Sequence, residues 1–335
     1  MIIGKILYSA FALVLAIPFS RLIFGGSWLW YIGMDTTLIL IYIIGFFMIY
    51  NHIFTSLNND KMATATSNPQ KEVGLNYRDI ELTTPTGHPI KGWYIPSTQA
   101  SVGNPVLIYS HGFGLSREQL GESSYEQFKY FAARGYSVIT FEYPIGEREG
   151  AHKVTGGALE SEDLATVVDY AKEMGHEFVG LIGYSYGGNT SLYYAVNKVT
   201  PLVDAIILDS SIVVTPSILA RQLHVWSGLP VYISLPFLYL LWKRKMGFRK
   251  DDHPIQNVFK TSSDIPILFW HGTSDRDAFY EVIESVYSKQ SHPLTQLRTV
   301  QDGEHVELHT KVGESVYNEQ TLDWLTQLNT EKLKA

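Results

Sequence analysis

Apolar positions in residues 76–330 gather into short runs, separated by stretches with helical spacing. Residues 78–83 and 90–95 read as two strands joined through Thr86-Gly87-His88. Residues 105–110, 137–142, 178–182, 205–208, 265–270 and 296–300 read as further strands. Most are apolar at successive positions, as strands covered on both faces are. Residues 125–134 predict a helix closed by Gly135, residues 160–174 one closed by Gly175, and residues 190–196 another. Strands alternating with helices predict an α/β class, with a mostly parallel sheet and helices on both faces. Residues 209–264 are too many for a simple crossover and mark an insertion. No internal repeat is apparent, which removes solenoids and propellers.

The first 55 residues have a different texture. Residues 6–24 form an apolar run broken by Pro18, Ser20 and Arg21, and residues 36–54 carry no charge except the titratable His52. As helices these runs would each be about 28 Å long, close to the hydrocarbon thickness of a bilayer. Between them, Gly25-Gly26 suits a turn, and Trp28, Trp30 and Tyr31 are aromatics of the interfacial kind. A cleaved signal peptide is the alternative for the first run, given Lys5, but no A-x-A-like site follows and a second apolar run does. The expectation is a membrane anchor at 1–55 made of two transmembrane helices, then a polar linker at 56–75. Lys5, Lys61 and Lys71 flank one side of that hairpin and only Arg21 and Asp35 the other, which points the following domain at the cytoplasm.

Composition narrows the functional classes. The chain of 335 residues is 45% hydrophobic, enough for one large core. Its net charge of −7 argues against a nucleic-acid partner. It has no cysteine, which excludes disulfides, thiolate metal sites and cysteine nucleophiles.

Candidate chemistry collects where the apolar runs end. Gly183-Tyr184-Ser185-Tyr186-Gly187-Gly188 follows the 178–182 run and precedes helix-compatible residues, the context of a nucleophile elbow. His111-Gly112-Phe113-Gly114 ends the 105–110 run, and His271-Gly272-Thr273-Ser274-Asp275 continues the 265–270 run. Asp302-Gly303-Glu304-His305 follows the last strand. In parallel sheets the ligand site lies at the carboxyl ends of the strands, where all four motifs fall. Asp275 competes with Asp277 and Asp209 as the orienting acid, and His305 with His309 as the base. The run from His305 to His309 does not meet the H-E-x-x-H zinc pattern, because its Glu is at the third position. His111 and His271 read as loop braces.

On these motifs and their order Ser185, Asp275, His305, residues 77–328 resemble an α/β-hydrolase. Within that superfamily the chain is most similar to membrane-anchored serine hydrolases of the lipase, esterase and acyl-thioesterase type. The resemblance implies Ser185 as nucleophile, His305 as general base and then acid, Asp275 as orienting carboxylate, and the backbone N–H groups of Phe113 and Tyr186 as the oxyanion hole. It implies a lipid-like acyl ester or thioester substrate, a membrane location, and no metal or organic cofactor. One departure stands out. Phe141-Glu142-Tyr143-Pro144-Ile145-Gly146-Glu147-Arg148-Glu149-Gly150 occupies the place of an Asp-x-Arg-Gly-x-Gly loop in relatives. The insertion, at about 212–262, corresponds to a cap. Its apolar part, 225–242, is broken by Gly228, Pro230 and Pro236 and followed by Lys243, Arg244, Lys245, Arg249 and Lys250. That pattern suits either an ordinary cap helix pair or a lid lying on an anionic membrane surface. Two other functions stay open: a serine peptidase of the prolyl-oligopeptidase or aminopeptidase type, and an inactive binding protein on a hydrolase fold.

Overall fold

The structure, a computed structural model, describes residues 63–146, 150–198, 201–228, 230–246 and 253–332, together with part of 33–52. The chain divides into two compact units, residues 58–214 with 254–335 and residues 1–57 with 215–253.

The larger unit is built on one eight-stranded sheet. Its strands in chain order are β1 (Arg78–Thr83), β2 (Pro89–Ile95), β3 (Val106–Ser110), β4 (Ser137–Glu142), β5 (Val179–Tyr184), β6 (Ala205–Asp209), β7 (Ile267–Gly272) and β8 (Gln296–Val300). They lie side by side as β1-β2-β4-β3-β5-β6-β7-β8. Only β2 runs against its neighbours; the pairs from β4 through β8 are parallel. Every residue of β3, β4, β5, β6 and β7 is buried, so both faces of the central sheet are covered. This is why those strands lack polar alternation, whereas the edge strand β1 exposes most of its residues. The covering helices are α2 (Glu122–Ala132), α3 (Ala158–Glu173), α4 (Tyr186–Asn197), α7 (Tyr280–Tyr287) and α9 (Glu314–Lys332). The core joins Leu107, Tyr109 and Ile182 of the sheet to Phe128 of α2 and Trp324 of α9. Register aligns the strand ends: Ser110 is opposite Gly183, Tyr184 opposite Asp209, and Gly272 opposite Val300. The loops that leave β3, β5, β6, β7 and β8 therefore meet at one edge.

The stretch expected as a linker is different. From residue 63 onward it is docked on the larger unit. The Ala63 N–H donates to the Gly114 carbonyl (3.1 Å), and the N–H groups of Thr66 and Ser67 donate to the Glu118 carboxylate. Asn68 then caps the short helix α1 (Pro69–Val73), which ends at Gly74 with φ 72, and Leu75 enters the core. Its polar composition meets hydrogen-bonding partners supplied by the loop after β3, a pairing that composition does not reveal.

In the smaller unit, the segment between β6 and β7 forms α5 (Pro216–Ser227) and α6 (Val231–Met246), which pack on each other. Thr215 caps α5 and Gly228, with φ 75, closes it. Pro236 does not divide the run as the sequence suggested; it sits inside α6. Packing there outweighs the roughly 3 kcal/mol that an interior proline costs a helix. Lys243 and Arg244 are exposed, while Arg249 and Lys250 lie outside the described residues. Of the two expected spans, 6–24 lies outside the described residues. The described positions between 33 and 52 are all helical, and Ile39, Leu40, Ile41, Ile43, Ile44 and Met48 are exposed. Among the described residues no helix is long and apolar enough to cross a membrane.

The contact of α4 with β3 yields a stability test. A Cβ on Gly187 would lie 2.0 Å from the Ser110 carbonyl oxygen. Gly187→Ala should therefore lower the unfolding free energy in urea by about 3 kcal/mol. Gly74→Ala should cost only about 1 kcal/mol, from its positive φ, because nothing lies within 4 Å of that Cβ position. Equal losses at the two positions would show that the α4–β3 approach is not held rigidly.

Candidate active site

Ser185 stands between β5 and α4 with φ 50 and ψ −110, a backbone state costly for a residue with a side chain. The strand must turn at once into the helix, and glycines make room. A Cβ on Gly183 would meet the Gly187 carbonyl oxygen at 2.8 Å, and one on Gly188 the Ser211 hydroxyl oxygen at 2.5 Å. Two backbone hydrogen bonds hold the turn: Ser185 N–H donates to the Asp209 carbonyl (3.0 Å), and Ile212 N–H donates to the Ser185 carbonyl (3.2 Å). Ser185 is half-buried, whereas the other residues of the elbow are buried.

His305 lies in the loop between β8 and α8 (Leu308–Val312). Its Nε2 is 2.9 Å from Ser185 Oγ, and its Nδ1 is 2.8 Å from Asp275 Oδ2. An ionised carboxylate can only accept, so Nδ1 carries the hydrogen and Nε2 is left to accept from the serine hydroxyl. The other oxygen of Asp275 accepts the N–H groups of Asp277 (2.9 Å) and Ala278 (2.7 Å), which fixes the carboxylate in plane. The structure thus brings Ser185, His305 and Asp275 into one hydrogen-bonded row.

The competing residues are elsewhere. Asp277 contributes its backbone to Asp275. Asp209, fully buried, accepts from the hydroxyls of Tyr317 (2.8 Å) and Ser210 (2.9 Å), and burial raises its pKa. His309 packs against the Tyr317 ring. His271 braces the acid loop, Nε2–H donating to the Ala278 carbonyl (2.7 Å), and burial holds it below the ordinary imidazole value. His111 Nε2 accepts the Tyr143 N–H at 3.2 Å. Burial also pulls His305 down, but the bond and charge of Asp275 outweigh it, so its pKa lies above the ordinary value.

The rings of Phe113 and Tyr186 meet edge to face at 5.7 Å. Gly112 is in van der Waals reach of Ser185, its Cβ position 3.6 Å from the serine Cβ. Tyr186 opens α4, where backbone N–H groups have no acceptor within the helix. Among the described residues neither its N–H nor that of Phe113 meets a protein acceptor. A developing oxyanion requires donors that have no other acceptor.

Three supporting residues escape a sequence reading. Glu160, buried at the start of α3, accepts from the Tyr186 hydroxyl (2.8 Å), the Thr155 N–H and hydroxyl, and the Gly157 N–H. Its spacing from Gly157 marks a helix start but not a link to the elbow. Ser210 accepts the Val306 N–H at 2.9 Å and so positions the histidine loop, while Tyr317 reaches Asp209 from α9. In the departing loop, Glu142 lies 3.6 Å from Arg117. Further along it, His152 pairs with Asp163 at 2.8 Å; burial lowers its pKa, Asp163 raises it, and the net is a His152 pushed up to about 9.

Comparison with known proteins agrees with this architecture. Residues 105–230 match a family profile described as alpha/beta hydrolase fold. Escherichia coli K12 YfhR, an uncharacterized protein, is 26% identical over 247 residues, covering 73% of this chain and 79% of its own. The Pyrococcus furiosus esterase Pf2001 superimposes with a TM-score of 0.64 at 21% identity, covering 80% of this chain and 97% of that one. The alpha/beta hydrolase GrgF from Penicillium gives a TM-score of 0.54 at 19% identity, covering 76% of this chain and 99% of that one. A mostly parallel sheet with a strained serine between strand and helix, matched by these likenesses, is the alpha/beta hydrolase fold, and that is the fold of this chain.

Proposed function

We propose that the protein is a membrane-anchored serine hydrolase that cleaves carboxylic ester or thioester bonds of lipid-like acyl substrates. The observation that carries this reading is His305, held between the Ser185 hydroxyl and the Asp275 carboxylate at hydrogen-bond distance from both. Ser185 Oγ attacks the acyl carbon as its proton passes to His305 Nε2, and the carbonyl oxygen becomes an oxyanion facing the Phe113 and Tyr186 N–H groups. Collapse breaks the bond to the leaving oxygen or sulfur, which takes the proton from His305. Water then gives a proton to His305 and attacks the acyl-enzyme, releasing the carboxylic acid and restoring Ser185. Asp275 stays ionised and stabilises the imidazolium. The fold shared with an esterase supports esters as the substrate class.

The membrane part of the proposal has separate support. Residues 36–54 carry no charge besides His52, and their described positions are helical with apolar side chains exposed. On α5 and α6, Val225, Trp226, Tyr232 and Leu240 are exposed too, as are Lys243 and Arg244 near the C-terminal end of α6. Apolar side chains next to cations suit an anionic bilayer surface, where each basic residue contributes on the order of 1 kcal/mol.

A fluorophosphonate probe should label Ser185, and Ser185→Ala should abolish labelling and lower ester turnover by about 10^5-fold or more. Undiminished turnover by the alanine variant would remove the serine-hydrolase reading. Asp275→Asn should lower kcat by about 10^3-fold or more.

The base must be neutral to take a proton. Because the pKa of His305 is raised above 6.5, kcat/KM should climb with pH through an apparent pKa above that value. Asp275→Asn removes the charge that raises it, so the residual activity should titrate at lower pH. A limb that stays in place in Asp275→Asn but moves in Asp209→Asn would reassign the acid.

The full chain should stay with membranes through alkaline carbonate washing. Recovery in the supernatant would overturn the anchor and leave the hydrolase reading intact.

A further inference from the structure

The oxyanion site proposed above depends on where the loop after β3 holds the Phe113 N–H. That loop begins with a turn closed by the Leu115 N–H donating to the Gly112 carbonyl (3.2 Å), with Gly114 at φ 77. A turn of four residues can rotate as a body about its ends. Arg117, later in the loop, is tied to the sheet by the Thr140 hydroxyl donating to its carbonyl (2.7 Å), and two further contacts that oppose the rotation come from the segment that precedes α1. The Ala63 N–H donates to the Gly114 carbonyl at 3.1 Å, one residue past Phe113. Further along the same loop, the Glu118 carboxylate accepts the N–H groups of Thr66 (2.8 Å) and Ser67 (2.6 Å). Glu118 is itself tied to the core, since Oε1 also accepts from the hydroxyl of Tyr125 (2.9 Å), which is buried on α2 against Trp93 and Phe128.

We infer that Glu118 is a positioning residue for the oxyanion site, and that residues 63–68 are a strap through which it holds the Phe113 turn in place. The inference rests on the acyl-hydrolase reading and adds a determinant of its rate. The carboxylate suits this task because its bonds to backbone N–H groups are charge-assisted, about twice as strong as neutral ones. It receives two successive N–H groups from an irregular segment that has no ladder or helix to hold it, so losing it hands both donors to solvent and releases the segment from the loop. In sequence, residues 58–62 separate the strap from the apolar residues 1–57. The strap is hydrogen-bonded to the loop that stabilises the transition state in the proposed reaction, and a shift of the strap moves the Gly114 carbonyl with it.

Oxyanion donors bind the developing charge more strongly than the ground-state carbonyl, so a misplaced turn lowers kcat and leaves KM in place. The test uses the full chain in detergent with a short soluble ester. Glu118→Ala and Thr66→Pro, the latter removing one strap N–H, should each lower kcat by about 10-fold or more with KM within about twofold. Fluorophosphonate labelling should slow in parallel. Glu118→Gln, which keeps an acceptor oxygen, should lose less than Glu118→Ala. The double variant Glu118→Ala/Thr66→Pro should be no slower than the worse single variant, because both changes break the same link. Unfolding midpoints and the labelled fraction at completion normalise each rate to folded protein, so a variant that folds poorly is still scored. Unchanged kcat in Glu118→Ala and Glu118→Gln, a loss confined to KM, or additive losses in the double variant would overturn the strap. If Ser185→Ala kept its turnover, the hydrolase reading would fail instead, and the two failures are separable on one assay.

Discussion

A serine held at φ 50 between a buried strand and a buried helix is the constraint on which the site depends. Such a backbone costs on the order of 1–3 kcal/mol and survives only where its surroundings leave no alternative. Here they leave none. Gly183, Gly187 and Gly188 bring α4 against β3 and the loop after β6 at distances no side chain would permit, and Asp209 and Ile212 hold the two peptide groups of Ser185 from the neighbouring strand and its loop. The elbow also opens α4 with Tyr186, so the same turn that exposes the hydroxyl presents a backbone N–H beside it.

Two buried carboxylates border this turn, and their hydrogen-bond partners separate their roles. Asp275 has one oxygen taken by backbone N–H groups of its own loop, which leaves the other for His305. Asp209 has both oxygens taken by hydroxyls, those of Ser210 and Tyr317. A buried carboxylate needs its lone pairs satisfied, and the nature of the donors decides what it can do. Backbone donors on a tight loop aim the free oxygen of Asp275 at an imidazole. Hydroxyl donors make Asp209 a joint between β6 and α9, and through Ser210 a support for the backbone at Val306 beside the histidine.

The chain joins two kinds of material, and from residue 63 onward the second is held by hydrogen bonds of its own. The apolar first 57 residues group with the helices inserted between β6 and β7, whereas residues from 58 onward belong with the sheet. Ala63, Thr66 and Ser67 spend their backbone donors on the loop after β3 rather than on solvent. A polar stretch with no periodicity is thus ordered by acceptors elsewhere in the chain. In the proposed enzyme this ties residues 63–67 to the oxyanion loop, while the sheet carries the serine and its acid–base partners.

The five central strands were legible in the sequence because burial on both faces writes itself as consecutive apolar residues, and the helix ends at Gly135 and Gly175 because only glycine takes their positive φ at little cost. The Ser185 elbow was legible because its steric demands fall within six consecutive residues. Asp275 was named over Asp209 and Asp277 only through the resemblance, since all three are carboxylates at or near strand ends; the hydrogen-bond partners of each separate them in space. Glu160 under Tyr186, Ser210 under Val306, Tyr317 on Asp209 and Glu118 on Thr66 and Ser67 are pairings across 26, 96, 108 and about 50 positions. The docked segment from residue 63 and the unbroken helix through Pro236 likewise contradict their local composition. Periodicity and propensity act between near neighbours in the chain. Satisfying a buried polar group is a condition on neighbours in space, and only the folded sheet, by bringing its strand ends to one edge, decides which residues those are.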